Sequence, residues 1–227
     1  MTESCSLETS AVSGKCAPGR KFVERRSRDD IGSLSPAGTN YYDMNFDTIV
    51  HKIREGGCCV LENSDHLIMT TLGSCISVCI YDPNVRVGGM NHFLLPEENQ
   101  GANKNSYSMR YGNNAMETLI NEILKRGGQR SSLILKAFGA GSVINIKANI
   151  GIQNQAFLKK YVADERLTME TCDLGGNYPR LVVFYPSSGK AFVKTLRRSS
   201  DLKIGKQEDL FRKKIEQKHV SGMIELF

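Results

Sequence analysis

The stretch "TTLGSCISVCIYDPNVRVGGMNHF", Thr70 to Phe93, decides how this chain is read. Its first half leaves a Gly73-Ser74 turn and enters Ile76 to Tyr81, a run rich in β-branched and aromatic residues; a second apolar run spans Gly88 to Leu95. Between them, Asp82-Pro83-Asn84-Val85 sets proline at the second turn position, beside side chains that bond their own backbone. The pattern predicts an antiparallel hairpin. With the turn centred between Pro83 and Asn84, Ser77 faces Met90 and Cys75 faces His92, while a bulge at Gly88-Gly89 would shift that register.

Opposed residues in such a pair have Cβ atoms about 4.5 to 5.5 Å apart, so sulfur and imidazole can meet. An imidazole beside a thiol favours the thiolate, the species that attacks carbonyl carbon. A turn of small residues before Cys75 also exposes backbone N–H groups that can hold an oxyanion. The plainer alternative is a cysteine packing at a strand start and a histidine hydrogen-bonded within the sheet. Spacing alone leaves both open.

Outward from the hairpin, Ile53, Val60, Leu61 and Leu67 to Met69 predict short strands separated by Gly56-Gly57 and Asn63-Ser64-Asp65. Met116, Leu119, Ile120, Ile123 and Leu124 recur at helical spacing, predicting a helix over 114–126 that starts at Asn113 or Asn114 and stops at Gly127. Leu133 to Phe138 reads as a buried strand and Gln153 to Glu165 as a second helix, with Phe157, Tyr161 and Val162 inward. Strands follow near 167–172, 181–185 and 191–196, the last two joined by Pro186-Ser-Ser-Gly189. Strands segregated from helices indicate an α+β class, a layered sandwich of mainly antiparallel sheets with two or three helices.

Residues 1–40 are polar, with little apolar periodicity, and read as a flexible arm; 41–200 form the domain, and 201–227 a charged helical extension. The 227 residues, 40% hydrophobic, suffice for a substantial core. A net charge of +6 is dispersed and there is no Trp, which excludes nucleic acid as the favoured partner. No apolar run approaches the roughly 20 residues that span a bilayer, so membrane insertion is not expected and the cytoplasm is the expected address. Seven cysteines without framework spacing fit a reducing compartment. Cys75, Cys79 and His92 lack the tight knuckle of a zinc site, and "FGAGS", Phe138 to Ser142, lacks the lysine of a phosphate loop and reads as a tight turn. His51, His66 and His219 read as surface residues.

Taken in order, "LGSCISVCIYDP", "GGMNHFLLP", "RYGNNAMETLI", "KAFGAGS", "IGIQNQAF" and "DLGGNYPRLVVFYPSSGKAFVKTL" resemble the CheD chemoreceptor glutamine deamidases over about residues 50–197. "FGAGS" departs from the Phe-Gly-Gly-Ala of that pattern. The resemblance implies an α+β sandwich akin to toxin deamidases, and a protein-glutamine glutaminase that converts selected glutamines of methyl-accepting chemotaxis receptors to glutamate. It implies Cys75 as nucleophile, His92 as base and Thr70 as third member, with Thr71 the alternative. It also implies that no metal or organic cofactor is needed. Expected partners are the receptors' cytoplasmic helices and a CheC-type phosphatase. Methylesterase activity would follow from the same acyl chemistry, and a non-catalytic adaptor binding receptors or the phosphatase is the rival reading.

Overall fold

The computed structural model describes residues 38–95, 107–142 and 148–196, together with Gln207, Glu208, Leu210, Phe211 and Lys213. The expected arm lies outside the described residues up to position 37, as does His219. The strands are β1 (Thr39–Asp43), β2 (Thr48–Lys52), β3 (Cys58–Glu62), β4 (Leu67–Leu72), β5 (Ile76–Asp82), β6 (Val87–Asn91), β7 (Ile134–Gly139), β8 (Thr168–Leu174), β9 (Arg180–Tyr185) and β10 (Lys190–Thr195). Helix α1 (Tyr107–Leu124) precedes β7 and α2 (Ala148–Asp164) follows it.

One five-stranded sheet runs β1-β2-β4-β9-β10 and the other β3-β6-β5-β7-β8. Only β2 with β4 and β7 with β8 pair in parallel, so the sandwich is mainly antiparallel. Alternation along β5 shows how the layers stack. Ile76, Val78 and Ile80 point to a core shared with Met116, Leu119, Ile120 and Ile123 of α1 and Phe157 of α2. Cys75 and Cys79 point the other way, into an inter-sheet core with Ile68 and Leu72 of β4 and Val182 and Phe184 of β9. A strand covered on both faces reads as a continuous apolar run rather than as alternation, which is why Ile76 to Ile80 is buried throughout.

Several boundaries differ from the sequence expectation: β1 begins at Thr39, within the expected arm of residues 1–40, β2 ends at Lys52, just before the strand residue expected at Ile53, and both helices start early. Helix α1 begins at Tyr107, several residues before Asn113, carrying Gly112 in its interior. That glycine is a poor helix former, but a Cβ there would collide with the Phe157 ring, so packing against α2 overrides propensity. Its other end is as expected: Gly127 has φ +88°, and Gly128 N–H returns to Ile123 O at 3.1 Å. Helix α2 begins at Ala148, five residues before Gln153, and buries Phe157 and Tyr161 as predicted.

The hairpin register also moves. Asp82 pairs with Val87 and Cys79 with Met90, and Ile76 exchanges two 2.9 Å backbone bonds with Phe93. Arg86, at φ +55°, extends the turn to four residues, and Asn84 N–H bonds Asp82 Oδ1 within it. Cys75 therefore lies diagonal to His92 rather than opposite. A displacement of two leaves every side chain on its original face.

Candidate active site

Three elements meet at one end of the inter-sheet core. Thr70 sits on the inward face of β4 with Ile68 and Leu72, while Thr71 takes the opposite, partly exposed face. The chain then crosses from one sheet to the other through Gly73-Ser74, delivering Cys75 to the start of β5. His92 follows β6, its own N–H held by Gly57 O at 2.9 Å and its carbonyl by Gly56 N–H at 2.7 Å.

Thr70 Oγ1 lies 3.0 Å from Ile53 O and 2.7 Å from His92 Nδ1. A hydroxyl has one proton, and a carbonyl can only accept it, so the bond to Ile53 obliges Nδ1–H to donate to Thr70. This tautomer puts the free lone pair of the neutral ring on Nε2, which is buried and has no hydrogen-bond partner among the described residues. Buried polar atoms are rarely left so, and a catalytic role is one of the few explanations for one that is. Burial also lowers the His92 pKa below the ordinary histidine value, outweighing the opposite pull of Glu55 and Glu208.

The crossover itself is built as a cradle. Cys75 O accepts Ala140 N–H at 2.6 Å, Gly73 O accepts Gly141 N–H at 2.8 Å, and Ser74 O accepts Asn154 Nδ2 at 2.8 Å. Tying the three carbonyls away leaves the N–H groups of Gly73, Ser74 and Cys75 converging on one point. The "FGAGS" turn makes this possible: Gly139 has φ +109°, and a Cβ there would run into Cys75 O. Gly175 N–H to Gly139 O at 2.8 Å and Ser142 N–H to Gly176 O at 2.7 Å brace it from behind.

The carboxylate of Glu208 occupies the cradle. Oε1 accepts from Gly73 N–H at 2.9 Å and Cys75 N–H at 3.2 Å; Oε2 accepts from Ser74 N–H at 2.9 Å and Ser74 Oγ at 2.7 Å. Cys75 Sγ, an imidazole nitrogen of His92 and a Glu208 oxygen lie within 4.8 Å of one another. Burial pushes the Cys75 thiol well above its ordinary pKa, and Glu208 raises it further by charge and hydrogen bonding. The thiol is thus protonated at rest.

The structure brings Thr70, Cys75 and His92 together, and the sequence reading missed Glu208 and Asn154. Neither had a local signal: Asn154 is one amide among several polar helix positions, and Glu208 one acid in a mixed-charge segment. Other sequence expectations divide. Cys58 and Cys59, adjacent on β3, face opposite cores, as alternation along a strand requires. His51, expected at the surface, is 3% exposed and stacked on His66, because it shares a register with Ile68 and so takes the face turned to the other sheet. Asp173 holds the buried Arg180 through bonds of 2.7 and 2.9 Å.

Residues 94–195 match the family model described as CheD chemotactic sensory transduction, a stretch that begins just after His92. The chain is 44% identical over 188 residues to a Rhodopseudomonas palustris protein named "Probable chemoreceptor glutamine deamidase CheD", covering 82% of this chain and 88% of that one. A protein of the same name from Saccharophagus degradans is 41% identical over 202 residues, covering 85% and 92% of the two chains. Another, from Methylobacillus flagellatus, is 41% identical over 191 residues, covering 82% and 94%.

Proposed function

The chain belongs to the CheD family, and from that membership we propose that it hydrolyses the side-chain amide of selected glutamines in chemoreceptors, releasing ammonia and leaving glutamate. The observation that carries this reading is the buried, unpartnered Nε2 of His92 beside Cys75 and three convergent N–H donors.

In this mechanism the Cys75 thiol gives its proton to His92 Nε2 as sulfur attacks the carboxamide carbon. A neutral imidazole is the competent base, and burial favours that form. The oxyanion is received by the N–H groups of Gly73, Ser74 and Cys75, the donors that now bind a carboxylate. The C–N bond breaks as His92 returns the proton to the departing ammonia, giving a thioester. His92 then takes a proton from water, which attacks the thioester carbon and expels the thiol. The balance is one amide and one water in, one carboxylic acid and one ammonia out. Thr70 holds the ring in the required tautomer. A glutamyl methyl ester would follow the same path, with methanol leaving.

Among the described residues no helix is long and apolar enough to cross a membrane. The reading places the reaction in the cytoplasm, on the receptors' cytoplasmic helices, with a CheC-type phosphatase as a candidate regulatory partner. The test is to incubate the protein with a glutamine-bearing receptor fragment and follow ammonia and fragment mass. Acidification of an intact chain, lost in Cys75→Ala, is expected. Turnover retained in Cys75→Ala would overturn the mechanism, cut backbone would make the protein a peptidase, and binding without turnover in the wild type would make it an adaptor.

A further inference from the structure

Glu208 is a glutamate side chain seated where a glutamine side chain must react. Its two oxygens accept four hydrogen bonds from Gly73, Ser74 and Cys75, and Glu208 itself is 6% exposed. Cys75, His92 and Glu208 are also a ligand set by residue type, but both oxygens of the carboxylate are already engaged by N–H and O–H donors. What its carboxylate does resemble is the product of the proposed reaction: the same side-chain length, the same two oxygens, beside the same sulfur.

The contact is anchored at a second point. Gln207, Glu208, Leu210, Phe211 and Lys213 are helical, and residues three apart lie on one helix face. Phe211 packs on the inter-sheet core above Gly56, where a Cβ would come within 2.8 Å of the phenyl ring, whereas Leu210 is 63% exposed. Gly73 makes the matching allowance, since a Cβ there would stand 2.9 Å from both Glu208 oxygens. Cys75 is fully buried in this arrangement, so no substrate amide can reach the sulfur while Glu208 stays.

We propose that Glu208, on a segment clamped by Phe211, is a product mimic supplied in cis: it closes the active site, and turnover requires the segment to be displaced. This rests on the reading of Cys75 as nucleophile. A tethered ligand competes at an effective concentration in the millimolar range, so a receptor helix must outbind it, or a partner must draw the segment away.

Two readouts on the full-length chain separate this proposal from the reading beneath it. The first ignores turnover: the rate at which iodoacetamide alkylates Cys75, followed by peptide mapping. Glu208→Ala should raise it about tenfold or more, because reactivity follows thiolate fraction and access, and Phe211→Ala should raise it by a smaller factor. Wild-type alkylation rates in both variants would overturn the proposal, whether or not receptors are deamidated. Faster alkylation in both, with ammonia release from no form of the protein, would uphold the closure and sink the deamidase reading instead. The second readout is Glu208→Gln. The introduced amide should hydrolyse back to the acid at a rate independent of protein concentration, visible in the mass of its peptide, and should persist when Cys75→Ala is added. An amide that persists in a protein active on receptors would overturn the mimicry.

Discussion

Thr70 has one hydroxyl proton and two neighbours, and that small inequality fixes which imidazole nitrogen can act as base. The Ile53 carbonyl takes the proton, so His92 Nδ1–H must donate and Nε2 is left for chemistry. Thr70→Val keeps the volume but removes the acceptor, and should lower kcat about ten- to a hundredfold, the usual effect of losing a group that orients a functional histidine. Thr70→Ser should restore most of it. A structural role alone would not move the pH profile, whereas this one does. Burial depresses the His92 pKa, so the neutral base survives as pH falls through the ordinary histidine range, and wild-type kcat/KM should decline only below pH 6.5. In Thr70→Val the acid limb should shift. Cys75 and His92 were legible because a thiol and an imidazole advertise their chemistry, and a register error of two residues returns them to the same face. Thr70 over Thr71 came from resemblance, and the structure gives it a reason: inward residues on β4 are the even-numbered ones. Glu208 was not legible, since nothing in its neighbours announces a contact more than 130 positions away.

The crossover between the two sheets is the element on which the proposed chemistry stands, and its shape is imposed from outside. Gly73-Ser74-Cys75 would not converge its N–H groups without the Ala140, Gly141 and Asn154 donors that hold its carbonyls. Gly139→Ala should therefore do more harm than an ordinary left-handed glycine. Gly127, with φ +88° and nothing within 4 Å of its missing Cβ, gives the control: alanine there should cost about 1–2 kcal/mol of strain alone. Gly139→Ala adds a collision with Cys75 O, so a larger loss of stability in urea, accompanied by a fall in kcat that Gly127→Ala does not show, is expected. Equal losses, with kcat untouched, would mean the turn is not what shapes the cradle. The β5–β6 hairpin was readable because its apolar runs flank an Asp-Pro-Asn turn, whereas β1 was not, since Thr39–Asp43 is exposed along most of its length. The helix starts were not, because Gly112 is helical for the sake of Phe157, a contact made across the tertiary structure.

At the scale of the whole molecule, packing one sheet on the other buries titratable side chains along with apolar ones. His51, paired with the inward-facing Ile68, is the clearest case. Burial, helped by the charge of His66 alongside, lowers its pKa from 6.5 to about 4. Between those values the unfolded chain binds a proton that the folded one refuses, so stability rises with pH across the window and is lost on acidification through it. Urea midpoints should fall steadily from pH 6.5 towards about 4, and His51→Leu should flatten that slope; an unchanged slope would mean that His51 is not the group refusing the proton. The layering itself was foreseeable from segregated strands and helices, but which histidine it buries was not, since β2 is short and its pattern does not say what covers it. The claim beneath all of this is that Cys75 becomes covalently bonded to the side-chain carbonyl carbon of a receptor glutamine. Rapid acid quench of the wild-type protein with a receptor fragment, followed by peptide mapping, tests it most directly. The account predicts a Cys75 peptide joined to the fragment at a mass lacking one ammonia, absent in Cys75→Ala and discharged to glutamate when quenching is delayed. Full conversion of glutamine to glutamate with no such adduct at any quench time, and undiminished in Cys75→Ala, would contradict it.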